Sequence, residues 1–245
     1  VVFLDQIAVL NVLVRVQVNH LSAVLLTILL LPCLLKAASS GTSSNPRVVI
    51  VASDVHYWTM FSKAEVEREK ILRKLSDKDR CTSPWGHSLL YLTVVVTPYN
   101  FRVVSERYKI RNICKQSIFA RLADSERFPV LNIFFVLELT KSLPANSPVI
   151  VTAVNPGLCR SLLKRNISFT RSVIHSIIEL LLARTTEEGS RQLVWAAVGG
   201  AGRESELRGG FVSNANLQEI SDYVLSDEGA VVQTRLWVGS RHPLS

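Results

Sequence analysis

Two short β-branched runs on either side of one long apolar segment constrain this chain most. Residues Ile7 to Val14 read IAVLNVLV and residues Arg47 to Ala52 read RVVIVA, each suited to a strand covered on both faces. Between them, Val18 to Lys36 reads as an apolar helix, and ASSGTSSNP from Ala38 to Pro46 is a plain loop. Strand, helix, strand is the repeating unit of a parallel sheet, with a right-handed connection expected. At 245 residues the chain can bury a full core. Its four cysteines, Cys33, Cys81, Cys114 and Cys159, form no C-x-x-C pair, so neither a disulfide framework nor a zinc knuckle is expected.

A second passage of the same kind follows Pro129. Val130 to Leu139 (VLNIFFVLEL) reads as a helix laid on the sheet, Leu143 to Pro148 as a turn, and Val149 to Val154 (VIVTAV) as a strand. Val173, Ile174, Ile177, Ile178, Leu181 and Leu182 lay one stripe along a further helix. Thr185 with Glu188 forms a capping box that opens another, ended by Gly199 and Gly200. Gly209 to Ser213 reads as a short strand and Ile220 to Leu225 as a short helix. Ligands of open parallel sheets sit beyond the carboxyl ends of the strands, where Ser53 and the run Asn155, Pro156, Gly157 fall.

The net charge of +8 and pI near 9.6 point to an anionic partner, whether a nucleotide cofactor, nucleic acid or an acidic membrane surface, and select none of these by themselves. Nucleic acid is not expected, because there is no Lys/Arg block and no aromatic and basic platform. The apolar run Leu21 to Leu35, 15 residues broken by Pro32, falls short of the roughly 20 that a membrane span needs. It reads as a buried helix of a cytoplasmic protein, with membrane association as the lesser alternative.

Five phrases carry a resemblance: VQVNHLSAVLLTILLLP, RVVIVASDVHYW, LNIFFVLELTKSLP, VNPGLCRSLL and EEGSRQLVWAA. In this order, over about four fifths of the chain, they resemble the short-chain dehydrogenase/reductase family in its fungal, retinol-dehydrogenase-like branch. The resemblance implies an α/β fold with a Rossmann-like doubly wound parallel sheet, NADP or NAD as cofactor, and a small-molecule alcohol or carbonyl substrate. A homodimer through the helix around Val130 to Leu139 is a habit of the family. The catalytic positions implied are Asn19, in a proton path through water, and Ser53, on the substrate oxygen. Asn155, Pro156 and Gly157 are implied beside the nicotinamide, and Ser161 near the pyrophosphate. Read without the family, Asn19 can instead cap a helical turn, and Ser53 beside Asp54 can equally begin a turn.

Two family features are missing. Tyr57, Tyr91, Tyr99, Tyr108 and Tyr223 are followed four residues later by Phe61, Val95, Val103, Asn112 and Asp227, so no Tyr-x-x-x-Lys pair exists. Counting back from LNIFF places Ser125 and Pro129 at those positions; matching RLADSE instead places Leu122 and Glu126 there. Either way the acid/base pair is lost, and general acid catalysis is worth roughly 10²- to 10⁴-fold. No Thr-Gly-x-x-x-Gly-x-Gly loop precedes Ile7, and the chain opens on Val1. Residues 1–245 therefore read as a single incomplete NAD(P)-binding domain, short of its first three strands and catalytically impaired. An irregular insertion is expected at about residues 86–120, with Leu89 to Val96 as a strand inside it. The alternative is a non-catalytic binding or interaction protein derived from the same fold.

Overall fold

The computed structural model describes residues 17–39, 45–61, 94–97, 127–159 and 183–241. The strand expected at Ile7 to Val14, the helix after Ser62, the helix around Val173 to Leu182, and Ser161 lie outside these residues.

A sheet of five strands runs through the described fold. Its strands are β1 (Arg47–Val51), β2 (Val94–Thr97), β3 (Ile150–Asn155), β4 (Phe211–Ser213) and β5 (Asn216–Gln218), in the order β2-β1-β3-β4-β5. The three inner strands are parallel, with Val51 opposite Val154 and Asn155 opposite Ser213. Both outer strands are antiparallel. This is a partial Rossmann-like sheet, mixed rather than wholly parallel. Part of the stretch expected to be irregular supplies an edge: β2 pairs along β1 from Arg47↔Thr97 to Ile50↔Val94. Its run VVVT has the β-branched character that suits an edge contact on an apolar strand.

Alternation along the strands sorts two cores. Val48, Ile50, Ala52, Val151, Ala153 and Phe211 join one cluster. Val49, Val51, Ile150, Val154 and Val212 join the other. The first is covered by α1 (Ser22–Ser39), α2 (Arg127–Ser142) and α6 (Asp227–Arg241). The second is covered by α3 (Thr186–Val198) and by Leu207 of the short α4 (Glu204–Leu207). A short α5 (Asp222–Leu225) leads into α6.

In α1 only one face is buried: Ala23, Val24, Thr27 and Leu34 pack inward, while Leu29 is 64% exposed on the other side. The expectation of a buried helix therefore holds for one face, because a helix lying on a sheet at the periphery covers itself on one side only. Asn19–Ser39 is long and apolar enough to cross a membrane, with a mean hydropathy of 2.2, a property shared with core helices. In α2, Pro129 is the third residue, where backbone N–H groups lack an intrahelical acceptor and proline removes nothing.

The capping box at α3 forms as read. Glu188 N donates to Thr185 Oγ1 at 3.2 Å, and Thr185 N donates to Glu188 Oε2 at 2.7 Å. At the other end the buried Arg47 donates to the carbonyls of Ala196 (3.2 Å) and Gly199 (2.6 Å). A cation at a helix C-terminus satisfies carbonyls that the helix leaves open. Arg47 thereby ties the start of β1 to the end of α3.

Candidate functional site

The carboxyl ends of β1, β3 and β4 form one side of the fold, and Ser53 and the run Asn155, Pro156, Gly157 follow directly on two of them. Ala52 N donates to Val154 O at 2.7 Å, which continues the β1–β3 ladder by one step, with Ala52 opposite Asn155 and Ser53 opposite Pro156. Ser53 is extended (φ −154, ψ 155) and caps a 3₁₀ turn, Asp54–Tyr57. Its Oγ accepts from Val55 N at 3.4 Å, so the turn-starting alternative is realised. The Ser53 carbonyl receives two donors from His56, the backbone N at 3.2 Å and Nδ1 at 2.8 Å. His56 is fully buried against Tyr57 and Phe211, and its Nε2 has no partner. Burial pushes its pKa below the usual histidine value.

Asn155 is the last residue of β3 and is buried. Its Nδ2 donates to Ser213 Oγ at 3.1 Å and its Oδ1 accepts from Gly157 N at 3.0 Å. These bonds fold the chain back over Pro156, whose fixed φ suits the turn. Gly157 has φ +77, a conformation glycine adopts without strain. Two residues on, Cys159 sits against α3, where a Cβ at Gly189 would fall 2.2 Å from its sulfur. Glycine at 189 therefore lets the loop after Gly157 dock on the helix.

Asn19 is buried within a π-helical turn, Gln17–Leu21. Such turns free a carbonyl from the regular ladder. The Asn19 carbonyl accepts from Asn132 Nδ2 at 3.2 Å, and the same nitrogen donates to Val51 O at 2.9 Å. Asn132 Oδ1 lies 2.9 Å from His20 Nδ1. With both amide hydrogens directed at carbonyls, the Asn132 oxygen is the acceptor and His20 holds its proton on Nδ1. His20 is buried, and desolvation drives its pKa from 6.5 to about 4 against the opposing hydrogen bond. Asn132 thus joins the π-turn, the end of β1 and α2.

Of the two counts for the missing pair, Pro129 lies on α2, three residues before Asn132 and about one turn away. It carries no proton to give. Ser125, Leu122 and Glu126 lie outside the described residues. Tyr57 is near Ser53 in sequence, but its hydroxyl donates to Glu219 O. Burial, then the charges of Asp54 and Glu219, raise its pKa. That is the wrong direction for a group needed as a phenolate near neutrality. Among the described residues no group of three or more His, Cys, Asp or Glu side chains could hold a metal ion.

Comparison with known proteins supplies the family. The short chain dehydrogenase/reductase dmxR8 of Cryptosporiopsis sp. (strain 8999) is 28% identical over 223 residues, 91% of this chain and 55% of that protein. The short chain dehydrogenase sol3 of Alternaria solani is 31% identical over 205 residues, 84% of this chain and 54% of that protein. The chain belongs to the short-chain dehydrogenase/reductase family. A third member, the short chain dehydrogenase atnD of Emericella nidulans, is 29% identical over 198 residues, 80% of this chain and 50% of that protein. No family model matches the chain. This short-chain dehydrogenase/reductase chain spans about half the length of the curated relatives it matches.

Proposed function

We propose that the chain carries the nicotinamide and substrate side of an NAD(P)(H)-dependent alcohol or carbonyl oxidoreductase site, and that its own turnover is impaired. The carrying observation is the junction at the strand tips. The Ala52–Val154 hydrogen bond extends the β1–β3 register so that Ser53 falls opposite Pro156, and Asn132 bridges the carbonyls of Asn19 and Val51.

The residues present fit a flat ring at Gly157. Gly157 carries no side chain and the polar atoms of Asn155 are satisfied within the turn, while the Arg184 guanidinium packs against Gly157, so a ring seated there lies beside that guanidinium or displaces it. When bound, the cofactor supplies or accepts a hydride at the nicotinamide C4. In this reading Asn155, Pro156 and Gly157 shape the ring's seat, Ser161 adds a hydroxyl near the phosphates, Ser53 donates to the substrate oxygen, and Asn19 lines the proton path. Impairment follows from the missing Tyr-x-x-x-Lys pair, since Pro129 cannot donate a proton and Tyr57 is tied to Glu219. A cytoplasmic setting belongs to the same proposal. A homodimer through the helix around Val130 to Leu139, the family's habit, belongs to it as well.

The absence of the Tyr and Lys pair favours a second reading, a non-catalytic binding or interaction protein on the same fold. The two readings separate by titrating the purified chain with NADPH while following cofactor fluorescence, and by assaying a panel of apolar alcohols and ketones. The expected result is a saturable change in NADPH emission, with turnover reduced by roughly 10²- to 10⁴-fold relative to a family member that has the pair. No NADPH binding at millimolar concentration would sink the cofactor reading and leave the non-catalytic one. Turnover at the level of an intact relative would overturn impairment.

A further inference from the structure

The bare side of Gly157 is covered by a side chain from elsewhere in the chain. A Cβ at Gly157 would stand 3.0 Å from Nη1, 3.2 Å from Cζ and 3.3 Å from Nε of Arg184, so the guanidinium fills the space where a side chain would be. Its Nη2 donates to Oδ1 of Asn214, in the tight turn between β4 and β5. The side chain thus bridges the turn after β3 and the turn after β4, across the strand ends where ligands of parallel sheets sit.

The two ends of this bridge are held differently. At its root, Arg184 N donates to Leu158 O at 2.7 Å and the residue forms a β-bridge with Cys159, which packs on Gly189 of α3. At its tip, the neutral amide of Asn214 is its one hydrogen-bond partner among the described residues. The acids of the first turn of α3 are engaged elsewhere, Glu187 on Arg191 at 2.6 Å and Glu188 on the Thr185 backbone and hydroxyl at 2.7 and 2.9 Å. A long side chain fixed at its root and held at its tip by one bond swings out without moving the main chain, and the rotamer freedom it regains offsets part of the bond lost.

We propose that Arg184 is an autoinhibitory latch over the cofactor seat: closed on Asn214 it keeps a flat ring off Gly157, and the cofactor binds only when the side chain swings out. This rests on reading Gly157 as the seat of the nicotinamide. Carbon atoms in contact stand about 3.5–4.0 Å apart, and the guanidinium already lies closer than that to the Cβ position, so ring and guanidinium cannot share that side of Gly157. A seat that is open for only a fraction of the time lowers apparent affinity by that fraction. A closed-to-open ratio of roughly ten to one, which one exposed hydrogen bond can sustain, weakens the cofactor about tenfold.

The test titrates the whole chain with NADPH, followed by cofactor fluorescence, in wild type, Asn214→Gly and Arg184→Ala. Asn214 has φ 56, which glycine adopts without strain, so Asn214→Gly removes the acceptor while leaving the turn and the cation in place. It is expected to bind NADPH about five- to tenfold more tightly than wild type. Arg184→Ala also opens the seat but loses a positive charge near an anionic cofactor, so its expected gain is smaller, about two- to fivefold. If wild type binds NADPH and Asn214→Gly binds it equally or more weakly, the latch is overturned and the cofactor reading stands. Weaker binding by Arg184→Ala than by wild type also overturns the latch, by making the guanidinium a holder of the cofactor. Binding by Asn214→Gly where wild type shows none upholds both latch and seat. No binding by any of the three at millimolar NADPH overturns the cofactor reading, and with it the latch, since there is then no seat to guard.

Discussion

Replacing Asn132 by leucine is expected to destabilise the chain by about 3–5 kcal/mol, enough to unfold much of a protein of ordinary stability. The side chain is buried, and its three hydrogen bonds serve three different partners: the Asn19 carbonyl, the Val51 carbonyl and His20 Nδ1. Leucine fills a similar volume but leaves three buried polar groups unpaired, each costing about 1–3 kcal/mol before the structure relaxes. Relaxation is restricted here because the groups sit on the π-turn before α1, on β1 and beside α2. Urea unfolding of wild type and variant measures the difference directly. A loss below about 1 kcal/mol would mean that these groups find other partners easily and that Asn132 does not join the elements. Asn132→Asp should also lose stability, since a carboxylate would face two carbonyl oxygens, yet it should raise the pKa of His20 by supplying a negative partner.

Acidification is expected to remove about 3 kcal/mol of stability between pH 6.5 and pH 4 through His20 alone. Burial holds the folded-state pKa at about 4, whereas the unfolded chain has the ordinary value of 6.5. Below pH 6.5 the unfolded state therefore takes up a proton that the folded state refuses, and stability falls until the folded-state pKa is reached. Above pH 6.5 the contribution is complete and flat. His56 is shifted in the same direction, so it adds to the slope with the same sign. The cleft at His20 is lined by Leu131, Phe134, Phe135, Glu138, Gln233, Leu236 and Trp237, with Glu138 its one acidic group. Urea midpoints at several pH values, compared with His20→Gln, isolate the effect from that of the carboxylates. The glutamine variant should show a shallower decline over this window. Parallel declines in the two proteins would show that His20 is not the group responsible.

The parts of the fold visible in the sequence are those that local chemistry decides. β1 and β3 announce themselves as β-branched runs buried on both faces, and Thr185 with Glu188 marks the start of α3 because the box needs only four consecutive residues. What escaped the sequence depends on partners far away. The pairing of β2 with β1 joins residues about fifty positions apart, and nothing in VVVT names its neighbour or its antiparallel sense. α6 was not anticipated: its start, DEGAVV, mixes a glycine with β-branched residues, and its inward positions, such as Val232 and Leu236, find their core only against α2. Gly229 belongs there because a Cβ would fall 2.1 Å from Tyr223 O.

The site divides in the same way. The placement of Ser53, Asn155 and Gly157 at strand ends was legible because β-branched runs stop at turn-forming residues there. Asn132 was passed over inside VLNIFFVLEL, although a lone amide in an otherwise apolar helical run signals a buried polar group in need of partners. Arg184 gave no such signal. Only the fold places it over Gly157 and next to Asn214, thirty residues away.

The central claim is that the π-turn at Asn19, the tip of β1 at Ser53 and the turn at Gly157 surround one cofactor cleft. Hydrogen–deuterium exchange of the purified chain, with and without millimolar NADPH, reads all three at once. Slower exchange confined to peptides covering residues 17–21, 52–57 and 153–159 is the predicted outcome. Protection elsewhere with these three unchanged, or no protection anywhere, contradicts it.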